Sequence, residues 1–154
     1  MSFETFVTKA IKQGLIKEQE INFSSIQKMI SRSYEEIRAA KANMKIDQGI
    51  AFTVAYTSML HAGRALMLSK GYRPSDGYQH KTVVDFTANL LGEKYKTITQ
   101  RFDSMRRKRN IFTYEVSISF SETEVNSALK SAESFIQTVR DIIESEDPQH
   151  KFKF

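Results

Sequence analysis

The run Arg106, Arg107, Lys108 and Arg109, closed by Asn110, is the densest concentration of potential chemistry in the chain. Four consecutive cations can grip phosphates, as basic helix ends do in nucleic-acid binding, and they can equally form an ordinary solvated face. Spacing sets one of them apart. Tyr95, Ile98, Phe102, Met105, Arg109 and Phe112 recur at steps of three and four, which puts Arg109 on an otherwise apolar helical stripe. A guanidinium cannot shed its charge, so burying it unpaired is costly. Arg109 must reach a carboxylate, open onto a cleft, lie at a subunit interface, or bond the carbonyls of a helix end. Asp103, three residues before Arg106 and four before Arg107, has the spacing of a solvated surface pair with either.

The other titratable candidates are sparse. His61, His80 and His150 are too scattered to argue for a metal site. His61 falls in a central helix and reads as a satisfied packing residue. His80 opens a helix, where the positive dipole end favours a neutral imidazole able to accept or donate. The chain has no cysteine, so thiolate metal sites, disulfides and cysteine nucleophiles are excluded. No phosphate-loop, zincin or serine-hydrolase motif is present, and nothing calls for a cofactor.

These residues must be held by helices. Two prolines and six glycines in 154 residues leave little punctuation for a many-stranded sheet. Periodicity predicts a short helix from about Ser2 to Gln13 that stops at Gly14, a second from about Ser24 to Met44, and a third capped by Asp47 that reaches Gly71. The third is apolar nearly all round and belongs in the centre. The stretch Gly71 to His80 is rich in turn residues. A fourth helix follows, about Gln79 to Leu91, and a fifth runs from about Lys94 to Asn110. Ser121 and Glu124 form a capping box that opens the sixth. From Phe112 to Phe120 apolar residues alternate strictly, which predicts an extended segment, either laid along the bundle or paired with a second subunit. The expectation is one all-α domain over residues 1–154, an antiparallel up-and-down bundle of four to six helices without paired strands. Its core covers about 24–146, with a short first helix and a basic tail appended.

Composition sets the class. Hydrophobic content of 40% with 27% charged residues fits a globular domain, and a net charge of +5 suits a polyanionic partner. The amino terminus carries Glu4 and no long apolar run, and no stretch approaches the roughly 18 apolar residues of a membrane span. A cytoplasmic protein without membrane contact is expected.

The segment Arg106 to Glu115, R-R-K-R-N-I-F-T-Y-E, resembles the signature of the HEPN superfamily, the "higher eukaryotes and prokaryotes nucleotide-binding" domains. That motif is an arginine, usually followed by a polar residue, with a histidine four to six residues on, near the end of a bundle helix. Arg109 and Asn110 match its start. Tyr114 stands where the histidine falls in the commonest spacing, and the chain looks like the branches that carry RN-x-x-x-Y. The order of the long second and third helices, the segment Ala62 to Pro74, the His80 helix start and the sixth helix also follows the family, so the resemblance spans roughly Ser24 to Glu146.

The resemblance implies a homodimer in which two motifs face one cleft. It also implies a link to metal-independent endoribonucleases of toxin–antitoxin or defence systems, in which the arginine holds the scissile phosphate and the histidine acts on the 2′-hydroxyl or the leaving group. Tyrosine, with an ordinary pKa near ~10, is a poor general base at neutral pH. It can still donate to a phosphate oxygen or stack on a base. Three readings result. The first is a dimeric module that binds RNA, a nucleotide or a phosphate-bearing partner through Arg106, Arg107, Lys108, Arg109, Asn110 and His80, without efficient catalysis. The second is an endoribonuclease using Arg109 with Tyr114, or recruiting His80. The third is a protein-interaction subunit paired with a nucleotidyltransferase or an antitoxin. The family's order also brings the helix start at Tyr78 and His80 toward the motif.

Overall fold

The structure, a computed structural model, describes residues 1–75, 79–147 and 149–154. Six α-helices are joined to one short strand pair among these residues. Helix α1 (Phe3–Lys12) is capped by the Ser2 side chain, which accepts from the Thr5 N–H, and Gly14 leaves it at φ 72°. That left-handed turn is where the sequence placed glycine. Strand β1 (Ile16–Glu18) leads to α2 (Phe23–Asn43) and α3 (Gln48–Ser69), the latter capped by Asp47. Strand β2 (Tyr72–Pro74), α4 (Gln79–Leu91), a 3₁₀ turn (Glu93–Tyr95), α5 (Lys96–Tyr114) and α6 (Glu122–Glu146) complete the chain.

Four long helices form the bundle, and α1 and α4 are the short attachments. Central α3 packs on α2, α6, α4 and α5. Its buried positions include Phe52, Tyr56, Met59, Ala62, Gly63 and Leu66, which leave no broad polar face. Gly63 is needed for close approach, because a Cβ there would stand 2.5 Å from Val83 Cγ1 of α4. Helix α6 begins with the full Ser121–Glu124 capping box and buries Val125, Ala128, Leu129, Ala132, Phe135, Ile136, Val139 and Ile143 at steps of three and four. No helix among the described residues is long and apolar enough to cross a membrane.

Two expectations fail. The bundle does contain paired strands: Ile16 lies opposite Pro74, Lys17 opposite Arg73 and Glu18 opposite Tyr72, antiparallel. Three residues per strand are too few to show a period, and their partners lie far apart in sequence. Nor is Phe112 to Phe120 extended. Helix α5 continues to Tyr114, past the expected end at Asn110, and the Glu115 N–H still bonds the Ile111 carbonyl. An extended chain would put eight residue steps, roughly 26 Å, between Phe112 and Phe120. Their rings instead meet edge-on at 5.0 Å. Packing decides this. Phe112 lies over Gly49, where a Cβ would stand 2.4 Å from its ring, and Phe120 packs on Phe52 at 4.7 Å.

Candidate phosphate-binding face

Helix α5 carries a narrow buried stripe of Thr99, Phe102 and Met105, with Ile98 and Phe112 partly buried beside it. Arg109 continues that stripe one turn beyond Met105 and is half-buried. The four cations of the run meet different fates. Arg106 donates from Nε and Nη2 to Asp103 Oδ1 at 3.0 and 2.8 Å, with its side chain only 15% exposed. It is more enclosed than a surface pair would be. Arg107 reaches the other oxygen of Asp103 at 3.3 Å. Lys108 pairs with Glu124 of the capping box and lies 4.7 Å over the Phe120 ring. Its hydrogen bond holds the Glu124 carboxyl below the usual range, with help from Ser121.

Arg109 alone in the run has no carboxylate partner among the described residues. Its Nη1 makes one long contact, 3.4 Å, to Asn110 Oδ1. Its Nε is buried with no hydrogen-bond partner among those residues. A buried N–H in want of an acceptor is costly to leave so, which makes this position receptive to an anionic oxygen. Neither a helix-end carbonyl nor an acid fills it.

His80, at the start of α4, is held by Tyr56 of α3. The phenol oxygen and Nδ1 are 2.9 Å apart, and the two rings stack at 5.7 Å. Burial pushes the His80 pKa below its ordinary 6.5, and Arg109, Arg106 and Arg64 lower it further. Burial also raises the Tyr56 phenol well above its usual range. Both groups are neutral at pH 7, so one hydrogen bond, in which either atom can donate, ties the phenol oxygen to Nδ1 and leaves Nε2 as the nitrogen not engaged by the phenol. Sequence reading missed Tyr56 and Arg64, since a tyrosine in an apolar helix gives no signal of its histidine partner.

The other candidates are less close. On a helix, five residues turn through about 140°, so Tyr114 projects away from the Arg109 stripe, and it is 88% exposed. Arg109 lies near enough to His80 for its charge to lower the imidazole pKa. Tyr78 lies outside the described residues. His61 is satisfied, its Nδ1 2.6 Å from Glu36 Oε1. His150 pairs with Asp147, and its ring lies 4.6 Å from that of Phe23, tilted by 30°.

The depressed His80 pKa gives a pH signature. Below pH 6.5 the unfolded chain takes up a proton that the folded chain refuses until lower pH, so stability falls with pH over that interval. Melting temperature should decline as pH drops from about 7 to 5.5, and His80→Gln should flatten that part of the profile. Parallel profiles for the two proteins would show that His80 is not held neutral.

No curated protein matches the chain significantly. A family model described as HEPN domain matches residues 26–142, which takes in most of α2, all of α3, α4 and α5, and α6 nearly to its end. Such domains have nucleotide- or RNA-related or ribonuclease-like functions and commonly dimerise. With the helix order, the central α3 and the basic α5 all falling inside that match, the chain belongs to the HEPN domain family.

Proposed function

We propose that this protein is a homodimeric module that binds RNA or a nucleotide through the Arg109 face, with Arg106, Arg107, Lys108, Asn110 and His80 around it. The observation that carries this reading is the buried Arg109 Nε–H without a hydrogen-bond partner, in a run whose other cations are already paired among the described residues. Lys108 contributes least, because its charge is engaged by Glu124. The dimer contact is the exposed apolar end of α5 with the first turn after it: Ile111 at 51%, Tyr114 at 88% and Val116 at 90% exposure. Through such a contact Tyr114 would serve the partner's cleft rather than its own.

The test is incubation of purified protein with labelled single-stranded RNA in chelator, across a salt series. Binding that weakens steeply with salt, with intact RNA, is the expected result. No binding at low salt would overturn the reading in favour of a protein-interaction subunit. Light scattering that shows a monomer at high micromolar concentration would overturn the dimer.

A second reading, metal-independent cleavage, is favoured by one observation: a neutral imidazole held by Tyr56 and within the electrostatic influence of Arg109. Here His80, not Tyr114, is the base: with Nδ1–H donating to the Tyr56 oxygen, the bare Nε2 takes a 2′-hydroxyl proton. Cleavage in chelator that His80→Gln abolishes and Tyr114→Phe spares would establish it.

A further inference from the structure

A cavity of about 360 Å³ lies where the strand pair meets the start of α2 and the later part of α3. This is within the roughly 300–1,000 Å³ of small-molecule sites. Leu68, Met29 and Tyr72 supply an apolar lining, and Glu20, Arg64 and Arg73 supply charge. None of these three charged groups forms a salt bridge among the described residues. Arg73 spends one contact on the Pro74 carbonyl at 3.4 Å, and Glu20 is exposed. Gln19, Glu20, Asn22 and Ser25, which form one wall, precede the family match at residue 26. The cavity is therefore built partly from residues that precede the family match.

Arg64 joins the cavity to the arginine face. It lines the cavity, and its Nη1 donates to Gln79 Oε1 at 3.2 Å, the residue next to His80. Arg64 and Arg109 both lower the His80 pKa, so the Arg64 wall of the cavity and the Arg109 face lie near the same imidazole. We infer that this cavity is a base-reading subsite for single-stranded RNA and that it prefers guanine. A flat ring fits an apolar lining flanked by hydrogen-bonding groups. Guanine alone among the four bases pairs two adjacent N–H donors, which suit the Glu20 carboxylate, with the O6 and N7 acceptors that suit an arginine fork. Glu20 would repel phosphate, which argues against a site for the backbone.

The inference rests on RNA binding at Arg109, and its test separates the two. Affinities are measured for a uridine oligonucleotide and for the same oligonucleotide with one central guanine, using wild type, Glu20→Gln, Arg73→Ala and Arg109→Lys. Wild type should favour the guanine strand by about tenfold. Glu20→Gln, on an exposed rim where folding is not at risk, should erase that preference and leave uridine binding unchanged or slightly tighter. Arg73→Ala should reduce the preference, and Arg109→Lys should weaken both strands alike. Equal affinities for the two strands, or a preference indifferent to Glu20→Gln, would overturn the subsite while RNA binding stands. Failure of wild type to bind either strand would overturn both.

Discussion

Arg109→Lys should weaken single-stranded RNA binding by about ten- to a hundredfold, equivalent to roughly 1.5–3 kcal/mol, and leave the fold intact. Lysine keeps the charge but loses the planar fork that meets two phosphate oxygens at once. It also removes the buried Nε–H, which has no partner among the described residues, so the free protein loses no contact there. Affinity should fall without a matching fall in melting temperature. Arg107→Ala, which removes an exposed cation shared with Asp103, should instead shallow the salt dependence by up to about one unit of slope. A role for Arg109 as structural anchor requires the reverse pattern. If Arg109→Lys melts early yet binds RNA as well as wild type, the phosphate assignment is wrong.

The helices were legible because each has a period and an end signal. Asp47 and Ser121 cap the helices they were expected to cap, and Gly14 and Gly92 sit at positive φ where α1 and α4 stop. The stripe of α5 was legible too, down to a half-buried Arg109. What failed depended on partners distant in sequence. The alternation after Phe112 met the period of a strand, but Gly49 and Phe52, both on α3, take up Phe112 and Phe120 and fold the segment back. Strands β1 and β2 exist only through each other.

The site divides along the same line. A motif names residues close in sequence, so it suggested Arg109 with Tyr114. The helix continues through Tyr114 and turns it about 140° from Arg109, while the charges that act on His80 come from Arg109 and Arg106 of α5 and Arg64 of α3. Pairing also redistributed the run: Asp103 and Glu124 engage three of its cations, which no charge count could apportion.

Phe102→Ala should be the most destabilising single change in α5, at about 3–5 kcal/mol. Its ring is fully buried, 5.0 Å from Phe135 of α6 and 5.9 Å from Tyr56 of α3, and it closes against the gap left by Gly63. Little in that setting can collapse to fill the void, since Gly63 offers no side chain and Phe135 is held within α6. At roughly 2–4 °C per kcal/mol for a chain of this size, melting temperature should drop by about 6–20 °C. Phe102→Leu, which keeps most of the volume, should cost much less. The effect should also reach the site. Tyr56 touches both Phe102 and His80, so a cavity beside Tyr56 frees the phenol that orients the imidazole. Phe102→Ala protein kept well below its melting temperature should therefore bind RNA less tightly than wild type, although residue 102 contacts no ligand. A drop of only a degree or two would mean that α5 is not seated by this aromatic cluster, and the half-buried position of Arg109 would then need another cause.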